Sequence, residues 1–307
     1  MIETRGVSKR YGDTLAVDDL SFTVQPGYVT GFLGPNGSGK STTMRMILGL
    51  DRPTAGQALV DGKPYAELRH PLRRVGALLD ARWVHPNRTA RAHLRWLARS
   101  NALSARRVDE VLDQVGLTAV ADRRAGGFSL GMAQRLGIAG ALLGDPGILL
   151  FDEPVNGLDP EGIVWIRHFM KGLADEGRVV FVSSHLLPEM AQTATQLVVI
   201  GRGRLVAQSS TTAFVDAAAE TSVRVRTPQP DRLTEALVAQ GILVADTGSA
   251  LTVRGVETDR VGEIAAASGV VLHELALHRG SLEEAFIHTT APDVEYVAAT
   301  TTTRSPS

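Results

Sequence analysis

The chain has 307 residues, with 32 Lys and Arg against 33 Asp and Glu and a formal net charge of −1 at pH 7. So even a balance gives no reason to expect nucleic acid as a main partner, and a hydrophobic content of 44% suits a folded core rather than a disordered chain. Cysteine is absent, which excludes a disulfide frame, a thiolate metal site and a Cys nucleophile and allows, without proving, a reducing cytoplasmic setting.

Length predicts one large and one small domain. The N-terminus, Met1 to Arg5, lacks the apolar run of a signal peptide. No stretch reaches the ~18 uninterrupted apolar residues of a membrane-spanning helix; the best, Leu136 to Phe151, is broken by Asp145-Pro146. The expectation is a chain soluble by itself, whose membrane role comes through a partner.

Residues 2–25 alternate as strands around a turn at Gly12-Asp13. Tyr11 stands at that turn, either packing at an edge or stacking on an adenine ring. Tyr28 to Leu33 reads as a short buried strand, and Thr42 to Leu50 as a helix with Met44, Met46, Ile47 and Leu50 available for packing. Between them lie Gly34, Pro35, Asn36, Gly37, Ser38, Gly39, Lys40, Ser41 and Thr42, which fit G-x-x-x-x-G-K-[ST]. In such a loop successive backbone N–H groups turn inward and cup an anion, and the helix behind adds its positive end. Lys40 then meets the β- and γ-phosphates, and the Ser41 hydroxyl ligates Mg²⁺.

Gln57–Val60 and Arg74–Leu79 read as further strands, the second followed by Asp80. Thr89 caps a helix over 89–100, Ser104 caps another through Val115, and Ser129 caps a third running to Leu143. Gly147 to Phe151 is an apolar run of the kind a central parallel strand shows. It ends in Asp152, where a carboxylate is costly unless it binds something, and a strand-end Asp holding Mg²⁺ together with Ser41 completes a phosphate loop. Glu153 points elsewhere and is the candidate general base toward water. A helix follows Pro160, Val179 to Val182 is a buried strand leading to His185, and Leu197 to Ile200 turns into a hairpin at Gly201. His185 is placed to hold the γ-phosphate and the attacking water. The other histidines show no metal-ligand spacing. The guanine-recognition tetrapeptide [NT]-K-x-D is absent, which favours ATP over GTP.

Beyond residues 210–220 the pattern is Ser222–Arg226 strand, Asp231–Gln240 helix, Ile242–Ala245 strand, Ala250–Arg254 strand, Thr258–Ala267 helix and Val270–Leu277 strand, a ferredoxin-like order. Ser281 to Phe286 reads as a short final helix. The domains expected are 1–215, 221–288 and a disordered tail over 289–307.

These residues resemble the nucleotide-binding subunits of ABC transporters. Gly34–Thr42 looks like the Walker A motif, Ile148–Glu153 like Walker B with its glutamate, Ser129-Leu130-Gly131-Met132-Ala133-Gln134 like the signature, Gly157-Leu158-Asp159 like the D-loop, and His185 like the switch histidine. The S-L-G-M form and Ser281 to Phe286 are similar to the bacitracin- and daunorubicin-export type. The resemblance implies a P-loop NTPase of the ABC type: an α/β core, a helical subdomain, an N-terminal antiparallel β subdomain and a small C-terminal α+β domain. It also implies an exporter ATPase that closes on ATP as a head-to-tail dimer, with itself or a homologue, and opens on hydrolysis. Glu153, His185 and Lys40 are then catalytic. Ser129 and Gly131 face the other copy's nucleotide, Tyr11 stacks on adenine, and a separate integral membrane permease holds the subunit on the inner face of the membrane. Asp80 stands where the family usually carries Gln; it reaches Mg²⁺ through a bridging water or has lost that role. The competing readings are a soluble ATPase acting on ribosomes or DNA, and a drug-sequestering binder.

Overall fold

The computed structural model describes residues 1–80, 83–218, 222–246, 250–278 and 280–290. In chain order the strands are β1 (Ile2–Tyr11), β2 (Thr14–Val24), β3 (Val29–Leu33), β4 (Ala55–Val60), β5 (Val75–Leu78), β6 (Ile148–Asp152), β7 (Val179–Ser183), β8 (Gln196–Gly201), β9 (Arg204–Ser210), β10 (Ser222–Arg226), β11 (Leu243–Asp246), β12 (Leu251–Arg254) and β13 (Glu274–His278). The α-helices are α1 (Lys40–Ile47), α2 (Ala90–Ser100), α3 (Arg106–Gln114), α4 (Leu130–Leu142), α5 (Pro160–Asp175), α6 (Leu187–Thr193), α7 (Thr211–Ala218), α8 (Pro230–Val238), α9 (Thr258–Ala267) and α10 (Leu282–Thr290). The chain divides into compact units after Ser210, with Thr211–Thr289 forming the second. Helix α7 opens that second unit, and the first domain expected from the sequence ends inside it, at residue 215.

In the first unit a six-stranded sheet has the order β5-β6-β7-β3-β8-β9, parallel except for β9. Strands β3 and β7 are buried at every residue; their unbroken apolar runs suit a sheet covered on both faces. A separate antiparallel sheet, β2-β1-β4, packs against it through three phenylalanines. The ring of Phe22 on β2 lies 5.6 Å from those of Phe32 on β3 and Phe181 on β7, which are 4.9 Å from each other. Helices α2, α3 and α4 pack together. Arg135 of α4 places its guanidinium 3.9 Å above the Trp165 ring of α5 and donates to the Val115 carbonyl at the end of α3, so one side chain ties three helices.

Several boundaries differ from the sequence pattern. Helix α1 begins at Lys40 rather than Thr42, because Gly39, at φ 101°, caps it and its carbonyl accepts from Thr43 N–H. It ends at Ile47 because Gly49 turns left-handed, and Leu50 is then half exposed rather than packed. Ser104 does not cap α3 in the expected way; Ala105 precedes the helix, and the Ser104 hydroxyl takes only the Arg106 N–H at 3.3 Å. Thr89 and Ser129 do cap, accepting from Ala92 and Met132. The strand expected over Val270–Leu277 starts only at Glu274, since Val270 N–H bonds back to Ala265 at the end of α9 and its side chain fills the core. The short helices α6 and α7 carry no clear period in the sequence.

The second unit holds a four-stranded antiparallel sheet in the order β11-β12-β10-β13, the strand order of a ferredoxin-like β-α-β-β-α-β unit. Val223, Val225, Leu251 and Val253 pack with Leu233 and Leu237 of α8 and with Val261 and Ile264 of α9. Helix α10 continues past Phe286 to Thr290, where the Thr289 hydroxyl bonds the Ala285 carbonyl at 2.7 Å. The remainder of the expected tail lies outside the described residues.

Candidate nucleotide site

The C-terminal ends of β3, β6 and β7 lie side by side, and open parallel sheets bind ligands at such carboxyl ends. The loop after β3 runs into α1. A cleft of about 360 Å³ forms there, lined by Ala16, Asn36 to Thr42, Leu79, Asp152 and Glu153. Phosphate loop, metal-ligand candidate and base candidate therefore share one cavity.

Close backbone packing holds the loop. A Cβ on Gly39 would stand 2.6 Å from the Ala16 carbonyl of β2, and the left-handed φ there also favours glycine. Gly203 N–H donates to the Ser38 carbonyl. The Ser38 hydroxyl is buried in the loop with no hydrogen-bond partner, a donor suited to a ligand oxygen. Lys40 is buried, and its ammonium donates to the carbonyls of Gly34 (2.6 Å) and Pro35 (3.1 Å). Burial pushes its pKa below the ordinary lysine value, and the charges of Glu153 and Asp152 oppose that shift. Gly34 and Pro35 thus stand behind the lysine, while Ser41 and Thr42 open onto the cleft.

Asp152 ends β6 in register with Ser183, the last residue of β7. The Ser183 hydroxyl donates to the Asp152 carboxylate and accepts the Glu153 N–H at 3.0 Å. Glu153 adopts φ 51°, unusual for a residue with a side chain. Its Oε2 lies 2.8 Å from His185 Nδ1 and accepts the His185 N–H at 3.3 Å. Gln134 of α4, buried, donates to the Glu153 carbonyl at 3.4 Å. Ser183 is a site residue that the motif reading misses, and Gln134, the last residue of the signature stretch, makes a bond to Glu153 that the motif does not foretell. A polar residue inside the run Val-Phe-Val-Ser was the available signal for Ser183, because a buried hydroxyl needs a partner.

Other expected residues fall outside the cleft lining. Tyr11 donates from its hydroxyl to Asp51 at 2.8 Å; Lys9 Nζ sits 4.9 Å from its ring centroid, and the residue is 46% exposed. Asp80 borders a different cleft, apolar and about 320 Å³, with Trp83, His93 and Trp96. Ser129 borders a third cleft with Phe128 and Leu130. Leu130 lies against the turn at Gly157, where φ is 75° and any Cβ would collide with it, and a Cβ on Gly131 would stand 3.4 Å from Leu158. No helix among the described residues is long and apolar enough to cross a membrane.

A phosphate loop between a central parallel strand and a helix, facing a strand-end aspartate and an adjacent glutamate, defines a P-loop ATPase. A family model described as ABC transporter matches residues 17–156, and one described as Domain of unknown function (DUF8746) matches residues 221–283. The bacitracin transport ATP-binding protein BcrA of Bacillus licheniformis is 42% identical over 209 residues, 67% of this chain and 68% of that protein. The uncharacterized ABC transporter ATP-binding protein YhcH of Bacillus subtilis (strain 168) is 34% identical over 301 residues, 97% of this chain and 98% of that one. A solved dimeric structure of a bacterial ABC transporter cassette superposes with a TM-score of 0.62 at 26% identity, covering 68% of this chain and 98% of that one. The chain belongs to the ABC transporter ATP-binding family; it is an ATP-binding subunit and an ATPase.

Proposed function

We propose that this chain is the ATP-hydrolysing subunit of an exporter, and that it works as a head-to-tail pair with itself or a homologous subunit, each copy's Ser129 and Gly131 facing the other's nucleotide. The observation that carries the reading is the position of Ser129. It opens α4 with its N-terminal N–H groups, a favourable place for a phosphate, yet it borders a cleft other than the one its own phosphate loop lines. A second chain supplies the missing face. The likeness to a dimeric cassette supports the pairing, and relatives named Nod factor export ATP-binding protein I support the export direction.

Within the pair, Lys40 and the loop N–H groups hold the β- and γ-phosphates and offset charge as it builds. The hydroxyl of Ser41 and the carboxylate of Asp152 open on the same cleft, a hard-oxygen donor set that fits Mg²⁺. When bound there, Mg²⁺ supplies charge neutralisation at the phosphate oxygens. Glu153 takes a proton from water as the water oxygen bonds to the γ-phosphorus and the bond to the bridging oxygen of ADP breaks. His185 holds the Glu153 carboxylate in place. Tyr11 offers a half-exposed ring to the adenine. A separate integral membrane permease, outside this chain, converts closing and opening into transport and keeps the subunit at the inner face of the membrane. Residues 1–215 are the ATPase domain and 221–288 an accessory domain.

Light scattering on Glu153→Gln with Mg-ATP tests the reading. The expected result is a stable pair with ATP and a monomer without it. A monomer under both conditions, with wild-type turnover surviving in Ser129→Arg, sinks the head-to-tail pair.

A further inference from the structure

We infer that Gln134 is a positioning residue that links the nucleotide held by one copy to the base of the other, by fixing the peptide of Glu153. The inference rests on the paired arrangement proposed above.

Glu153 is held at both ends of its backbone. Its N–H goes to the Ser183 hydroxyl at 3.0 Å and its carbonyl to Gln134 Nε2 at 3.4 Å. It needs such a hold. At φ 51° a residue with a Cβ persists only when its surroundings impose that conformation. The two holds come from different parts of the fold. Ser183 is fully buried at the end of β7 and also donates to Asp152, so it belongs to the rigid sheet. Gln134 lies on α4, the helix that Ser129 opens, and is 4% exposed.

That placement makes α4 a lever. Its N-terminus meets the partner's nucleotide, and a residue one turn further on grips this chain's own Glu153. A nucleotide seated against Ser129 and Gly131 draws α4 into place, the Gln134 amide closes on the Glu153 carbonyl, and the Glu153 carboxylate is set toward its own water. Displacing a reacting group by an ångström costs about 10²-fold in rate, so a weak hydrogen bond at this point has a large effect on turnover and little on binding.

The test compares the full-length wild-type chain with Gln134→Met, which keeps the volume and removes the donor. In Mg-ATP the variant is expected to lose about tenfold or more in kcat while KM stays within about twofold. The Hill coefficient of hydrolysis falls from near the two-site limit of about 2 toward 1. The double variant Glu153→Gln with Gln134→Met still pairs in ATP, which shows that the fold and both nucleotide sites survive. Wild-type kcat and Hill coefficient in Gln134→Met overturn the inference, and so does a loss of kcat that disappears on cooling together with a lowered Tm. If the pairing itself is wrong, the failure shows in the wild-type chain, which then hydrolyses ATP without cooperativity or self-association.

Discussion

His185 Nδ1 lies 2.8 Å from Glu153 Oε2, and the backbone N–H of His185 donates to the same oxygen. One residue thus contacts one carboxylate oxygen with both its ring and its main chain. Replacing His185 with Ala removes the ring and leaves the main-chain bond. Turnover is expected to fall by on the order of 10²-fold, at the low end of what a positioned acid–base group contributes, while ATP is still retained. Phosphate release measured beside filter-bound ATP checks this. Equal losses in both would place His185 in binding rather than in the cleavage step.

Asp80 borders the apolar cleft beside Trp83 and Trp96 rather than the phosphate cleft. Asp80→Gln is therefore expected to preserve ATP turnover in the isolated chain, within about twofold, since an exchange that leaves the catalytic contacts in place leaves the barrier nearly unchanged. If the exchange abolishes turnover, Asp80 acts on the metal and its assignment to the neighbouring cleft is wrong.

His93 is buried, its Nδ1 has no hydrogen-bond partner, and its ring centroid is 6.3 Å from that of Trp96. Burial first, and the charge of Arg88 second, hold its pKa below the ordinary value of 6.5. The folded chain therefore binds this proton less readily than the unfolded chain. Stability is present in full above the ordinary value and falls as pH drops below it toward the depressed folded pKa. His93→Leu removes that contribution. Its unfolding midpoint is expected to change less than the wild type's between about pH 7.5 and about pH 5.5, a comparison made by thermal melts. Parallel declines in the two proteins would count against it.

Phe181 joins the two sheets of the first unit by packing on Phe22 and Phe32. It has no exposure at all. Phe181→Ala is expected to cost about 3–5 kcal/mol of stability, the range for emptying an aromatic site in a core, read from denaturant midpoints. A loss under about 1 kcal/mol would mean that the sheets collapse onto the gap.

The parts legible in the sequence were those whose chemistry is local. Gly34 to Thr42 is one unbroken segment, and the turn it makes needs only the strand before and the helix after. Asp152 and Glu153 were legible because a carboxylate ending an apolar strand has few explanations. Ser183 was not, since its role depends on the register that sets it opposite Asp152, 31 residues away. Gln134 is legible as part of the signature stretch, but its bond to Glu153 is not, for the same reason: it reaches across 19 residues and from a different layer. Periodicity gives no hint that Gly49 turns left-handed and stops α1, nor that the apolar run from Val270 first bonds back to α9, so that β13 starts only at Glu274.

Leu130 fits over Gly157, and Gly131 faces Leu158. The two turns are therefore cut to each other's shape, although separate segments supply them. A homologous subunit that lends only one of the two to a hybrid brings a surface without its counterpart. Interchange among relatives should then succeed for both turns together and fail for either singly, which makes the joined pair, rather than each short motif, the unit that is inherited.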